Sequence, residues 1–392
     1  MRIWIGFWKQ RCAAALIWIC ALPVLASAAT QPYYLITNDD RPFASGVTFY
    51  LITADGLLHL DGEVPTTGGG IAGGFFSTYR VAVLDSDTQQ CAYASNAATG
   101  DIVGIDVNTL TVGGSASGSP TDSGSANGIG LVLDGQYLYA GFTSSNTIGT
   151  FQLQAGCSLT FVNDISVAGL QGGFIDGMAA HGNMMVVTYG DGSIESFDVS
   201  SGTPVSNGDE QNSTGYSSSQ GATYPNSVEI TKNGKYALFG DTATSTVVEV
   251  SAIGSGKLTK TSVYVLGPAI NSSNILLSPD ETLLYISNNQ GDSISAALFD
   301  SSTGTPTPGC TSGRLRGYSV SWSYIAELAV GSNNGAGDVI YVAEFGPTSS
   351  IGMIAVGSNG ATCILNELSQ SPVADPNSPG LLSIGSFPPA SF

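Results

Sequence analysis

Leu283-Leu284-Tyr285-Ile286-Ser287-Asn288, then a polar loop through Asp292 and a second apolar stretch from Ser293 to Phe299, is the unit from which the chain is built. It reads as strand, loop, strand. The unit returns as Cys91-Ala92-Tyr93-Ala94-Ser95-Asn96 before Asp101 to Val107, and as Tyr137-Leu138-Tyr139-Ala140-Gly141 before Thr147 to Leu153. Fainter copies surround Val187, Leu238 and Tyr341, and the first runs Tyr33-Tyr34-Leu35-Ile36-Thr37-Asn38 before Val47 to Thr53. Taking Leu35, Tyr93, Tyr139, Val187, Leu238, Tyr285 and Tyr341 as equivalent gives steps of 58, 46, 48, 51, 47 and 56 residues. Each step suits four short strands and their turns, and the 3.6-residue apolar period of a helical solenoid is absent. The pattern predicts an all-β fold, a seven-bladed β-propeller of four-stranded blades.

An apolar strand and a tight turn precede most copies: Ile275 to Ser278 before Pro279-Asp280-Glu281, Val228 to Thr231 before Lys232-Asn233-Gly234, Ile129 to Leu133 before Asp134-Gly135. Asn-Gly and Asp-Gly accept the positive φ of a two-residue hairpin, so these turns are structural. The first copy starts at the second strand of its blade. Its missing inner strand is expected from Leu381 to Ile384, near the other end of the chain. Pairing the two termini in one sheet would close the ring and remove an open seam.

Residues 1–28 read as a signal peptide: Arg2, Lys9 and Arg11, an apolar stretch from Cys12 to Leu25, then Ala26-Ser27-Ala28. The apolar stretch is shorter than the ~20 residues of a spanning helix. The expected product is a secreted or periplasmic chain, 29–392, forming one propeller domain without stable membrane insertion, and a monomer. Cleavage would remove three of the 11 basic residues and no acidic ones, leaving 8 basic against 30 acidic residues, a net charge of −22. Such a charge disfavours nucleic acid as a partner. With charged residues at only 10% and 51 glycines, the composition is that of a turn-rich β protein, not of a disordered one. Four cysteines remain, Cys91, Cys157, Cys310 and Cys363, at spacings that match no metal motif. Export permits disulfides, four cysteines allow three pairings, and free buried thiols stay open as well.

The repeat from Ser278-Pro279-Asp280 to Tyr285-Ile286-Ser287-Asn288 resembles those of the lactonase-type seven-bladed propellers, 6-phosphogluconolactonase and carboxymuconate cyclase relatives among them. It also resembles the repeat of non-enzymatic surface propellers of the YVTN type. The enzymes of that group carry a Gly-Pro-Arg-His type motif at a strand start, with further arginines and a glutamate around the channel. Here the matching stretch, Tyr224-Pro225-Asn226-Ser227-Val228-Glu229, keeps the proline but has Asn226 and Ser227 where arginine and histidine belong. Glu344, after Tyr341-Val342-Ala343, stands where the group often places a loop glutamate.

In a propeller the loops between second and third strands and the links between blades gather at one end of the channel. That rim should collect Asn38, Asp39, Asp40, Arg41, Tyr79, Arg80, Asn96 and Asp176. Tyr189, Asp191, Tyr224, Asn226, Asp241, Asn274, Asn288, Asn289, Tyr324 and Glu344 complete it. As a ligand-binding set, Asp39, Arg41, Asn96, Tyr224, Asn226, Asn274, Asn288 and Tyr324 offer amide donors, aromatic faces and charge. They suit a small polar neutral or cationic ligand, or an extracellular protein partner. As a catalytic set, Arg80 could stabilise an oxyanion while Asp176 or Glu344 activates water. Arg80 is also placed for a salt bridge to a rim carboxylate.

His181 falls in the turn Ala180-His181-Gly182-Asn183, at the opposite end, and His59 in an outer strand; neither has the neighbours of a zinc site. Gly68-Gly69-Gly70 lacks the Lys-Ser/Thr ending of a phosphate loop, and no Gly-x-Ser-x-Gly elbow is present. Asn38-Asp39-Asp40 lacks the spaced oxygens of a calcium loop. No cofactor or metal is expected. Two functions remain: a binding propeller without the group's catalysis, or a lactone hydrolase or cycloisomerase with a rebuilt active site.

Overall fold

The computed structural model describes residues 33–71, 79–117, 128–212, 225–242, 245–268, 272–316, 324–332, 338–345, 349–359, 362–378 and 383–389. The expected signal peptide lies outside them. Seven antiparallel sheets follow one another along the chain, each a blade numbered here in chain order. The second strands of blades 1 to 7 are Tyr34–Asn38, Gln90–Asn96, Tyr137–Phe142, Met184–Tyr189, Tyr236–Thr242, Leu283–Asn288 and Asp338–Phe345, one for each sequence copy. The inner strands of blades 2 to 7 are Val81–Asp85, Ile129–Asp134, Ile175–His181, Pro225–Ile230, Ser272–Leu277 and Tyr324–Ser332. Blades 4 and 7 each add a two-residue strand, Gln211–Asn212 and Val373–Ala374, beside their third strand.

The apolar runs of the repeat are continuous because each blade is buried on both faces. Neighbouring residues of one strand point into different blade interfaces: Tyr285 packs toward blade 7 and Ile286 toward blade 5; Leu35 packs toward blade 7 and Ile36 toward blade 2. Seven apolar clusters result, one between each pair of adjacent blades. Three of the four tyrosines at the repeat position add a polar tie, while the buried Tyr93 hydroxyl has no hydrogen-bond partner. Tyr139 donates to Val199 O (3.4 Å), Tyr285 to Asp338 Oδ2 (3.2 Å) and Tyr341 to Gly56 O (3.0 Å), each in the next blade around the ring.

Ring closure uses the two ends of the described chain, but three residues later than the sequence suggests. The inner strand of blade 1 is Ile384–Phe387, antiparallel to Tyr34–Asn38 with Thr37 opposite Ile384 and Tyr34 opposite Phe387. Leu381 lies outside the described residues. The preceding serine ties this strand to the rim: Asn38 N donates to Ser383 O (3.2 Å) and Arg80 N to Ser383 Oγ (2.8 Å).

The cysteines pair as Cys91–Cys157 and Cys310–Cys363. Both bridges join adjacent blades, 2 to 3 and 6 to 7, closing stretches of 66 and 53 residues. Among the described residues no helix is long and apolar enough to cross a membrane.

Candidate functional site

The rim is densely engaged with itself. Arg80, 1% exposed, forms an ion pair with Asp40 (Nη1 to Oδ2, 2.5 Å), and Asp40 Oδ1 accepts from Ile71 N (3.1 Å). Arg41 pairs with Glu63 and lies 3.8 Å from Asp39 Oδ2. Asp39 is buried, its Oδ1 accepts from Thr48 Oγ1 (2.9 Å) and Thr37 Oγ1 (3.2 Å), and burial together with the nearby Asp375 pushes its carboxyl up to about 7.

Rim asparagines clamp blades together. Asn38 Nδ2 donates to Ser95 O in blade 2 (2.7 Å). Asn96 accepts from Thr66 Oγ1 of the blade 1 to blade 2 link (2.8 Å) and donates to Asp101 Oδ2 (2.9 Å). Asn274 accepts from Leu328 N in blade 7 (3.2 Å). Asn288 accepts from Thr246 Oγ1 in blade 5 (3.0 Å) and donates to Ser295 Oγ (2.8 Å). Asn226 is buried at the start of the blade 5 inner strand. Tyr324 begins the blade 7 inner strand, and Tyr224 lies outside the described residues.

Of the three residues considered for catalysis, Arg80 opens blade 2, Asp176 lies in the inner strand of blade 4 and Glu344 in the second strand of blade 7. All three are buried. Burial raises the Asp176 carboxyl well above its ordinary range and pushes Glu344 up to about 7. Glu344 Oε2 accepts from Ser350 Oγ (2.5 Å) within its own blade, and Oε1 packs toward Gly352 with no hydrogen-bond partner. The ion pair of Arg80 is with Asp40, and none of the three lines the channel cavity described next.

That cavity, about 200 Å³, is walled by inner strands of all seven blades, including Val81, Leu131, Met178, Val228, Leu276 and Leu328, with Ile384, Gly385 and Ser386 completing the ring. It runs from Tyr79 on the rim side to His181 and Pro389 at the other end. Most of the lining is apolar, with Ser386, His181 and one carboxylate as its polar side chains beside Tyr79. Glu229, 5% exposed, sits between Val228 and Ile230, and the Tyr79 hydroxyl donates to its Oε1 (2.7 Å). Burial pushes the Glu229 carboxyl up to about 8. Tyr79 holds this position at φ 50°, a left-handed conformation uncommon for an aromatic residue, while its carbonyl accepts from Leu131 N (2.7 Å).

Neither Glu229 nor the reach of Tyr79 was singled out by the sequence. The available signal was a carboxylate in the middle of an apolar inner strand, a placement that is rare without a partner or a task. Phe43 was missed too: it stands 97% exposed on the rim at φ 80°. Among the described residues no group of three or more His, Cys, Asp or Glu side chains is placed to hold a metal.

The fold is that of the lactonase-type seven-bladed propellers. A Bacteroides fragilis protein described as a candidate 6-phosphogluconolactonase is similar over 92% of this chain and 99% of its own, with a TM-score of 0.66 and 13% identity. The periplasmic gluconolactonase of Pseudomonas aeruginosa is similar over 91% and 99%, with a TM-score of 0.65 and 14% identity. No family model matches the sequence, and no curated protein matches it either. At such identities the likeness establishes architecture, and function has to be argued from side chains.

Proposed function

We propose that the chain is an exported propeller that binds a small neutral or cationic ligand and lacks 6-phosphogluconolactonase chemistry. One observation carries this reading. All four arginines beyond residue 28 are ion-paired: Arg41 with Glu63, Arg80 with Asp40, Arg314 with Asp292 and Arg316 with Glu367. A phosphorylated lactone needs guanidinium groups free to grip its phosphate bidentately. To serve it, Arg80 would have to abandon the buried Asp40 carboxylate, leaving that charge uncompensated beside the incoming dianion. The charge order of residues 1–28 supports export.

Purified protein should turn over 6-phosphogluconolactone no faster than the uncatalysed background, with neutral lactones and Arg80→Ala measured alongside. Efficient turnover of the phosphorylated lactone that disappears in Arg80→Ala would establish the enzyme instead.

A further inference from the structure

The channel cavity has the makings of a binding site independent of the rim. Three observations converge on Glu229. Its Oε1 is held by Tyr79, no described residue donates to Oε2, and the side chain lines the cavity. The surrounding wall of Val81, Val83, Leu131, Met178, Leu276 and Leu328 offers no hydrogen-bonding side chain. Tyr79 is brought across the ring, 150 residues away in sequence, by a left-handed backbone conformation that costs free energy and persists only where the surroundings impose it.

We propose that this cavity binds a small apolar ammonium compound, its charged nitrogen on Glu229 Oε2 and its hydrocarbon body along the valine, leucine and methionine wall. The proposal deepens the binding reading above by naming a ligand class, and rests on it. Size agrees: a cavity of roughly 150 Å³ holds benzene, and this one encloses about 200 Å³. Charge agrees as well, since 30 acidic residues face only 8 basic ones beyond residue 28, a field that draws cations inward. An anion is opposed by the same acidic field. A neutral alcohol could donate to Oε2 but would leave any negative charge there unpaired.

Binding is coupled to a proton. Burial keeps Glu229 protonated near neutral pH, with a carboxyl raised to about 8, and an incoming ammonium favours the ionised form, so the proton leaves to solvent. The groups that face or act on Glu229 are the Tyr79 phenol, His181 at the far end of the cavity and the Glu281 carboxylate acting through its charge. Below about pH 8, amine affinity should rise with pH by up to about tenfold per unit.

Calorimetric titration of the chain from residue 29 with benzylamine, benzyl alcohol and benzoate tests this. Benzylamine should bind with one-to-one stoichiometry, more tightly than the alcohol, and benzoate should not bind. Glu229→Gln should weaken benzylamine at least about tenfold and leave the alcohol unchanged. Equal affinity for amine and alcohol, or an unchanged Glu229→Gln variant, overturns the proposal. Should that variant not fold, the unmodified protein decides: benzylamine affinity that is flat between about pH 6 and about pH 8 overturns it equally. The lactone assay on the same preparation is a separate readout. Phospholactone turnover with amine binding intact would remove the functional reading and leave the channel site standing.

Discussion

The rim and the channel are built from the same blades, yet they treat polar groups in opposite ways. On the rim, Asn38, Asn96, Asn274 and Asn288 each bond across to a neighbouring blade or blade link, and Arg80 and Asp40 neutralise each other out of water. In the channel a single carboxylate stands in an apolar wall with one oxygen committed and one open. The difference teaches that an abundance of polar residues at a propeller's mouth is weak evidence for ligand binding. Seven blades meeting around an axis must satisfy their own backbone and side-chain groups where they approach, and short Asn, Ser and Thr side chains do this well. A lone buried ionisable group with spare hydrogen-bonding capacity is the stronger pointer.

The two regions meet at the closing strand, so its removal is expected to have the largest effect. Ser383 holds the rim backbone at Asn38 and Arg80, while Ile384, Gly385 and Ser386 wall the channel. A chain ending at Ser383 should show no cooperative unfolding transition, because blade 1 loses its inner strand and the ring its seam. Circular dichroism during heating would check this. A truncated chain melting near the parent's temperature would mean that the seven interfaces hold without closure.

Next in size is the rim ion pair. Arg80→Ala leaves Asp40 buried and uncompensated, which should cost about 3–5 kcal/mol in urea unfolding. A loss within ~0.5 kcal/mol would place Arg80 among solvent-exposed groups and reopen the rim as a site.

The sequence was legible where the fold depends on repetition. Tyr285-Ile286-Ser287-Asn288 and its copies announce second strands buried on both faces, and all seven appear where expected. Closure was legible in kind but displaced: Leu381 is apolar and reads as the strand start, whereas the strand begins at Ile384, after a serine whose two polar contacts no hydrophobic pattern reports. The rim's members were legible from topology, since strand direction fixes which loops share an end. Their partners were not, because Asn38 meets Ser95 at a separation of 57 residues and Arg80 meets Asp40 at 40. The cysteine pairing was hidden for the same reason, each bridge joining two blades. The Tyr79–Glu229 contact joins blades 2 and 5, and only the closed ring brings them together.

An effect confined to one pH range separates channel from rim. The Glu229 carboxyl is raised from 4.5 to about 8 by burial, so between those values the folded protein holds a proton that the unfolded chain has released. Folding stability from this group is therefore fully present below about pH 4.5 and is lost as pH rises through about 8. Asp39 and Glu344, both pushed up to about 7 by burial, add losses of the same sign. Glu229→Gln removes one contribution and keeps the other two. Urea midpoints of variant and parent should lie close together at low pH, diverge in the variant's favour as pH rises, and run parallel above about pH 8. Curves that stay parallel throughout would show that water reaches Glu229 in the free protein, that its carboxyl titrates normally, and that the channel is as well solvated as any surface cleft.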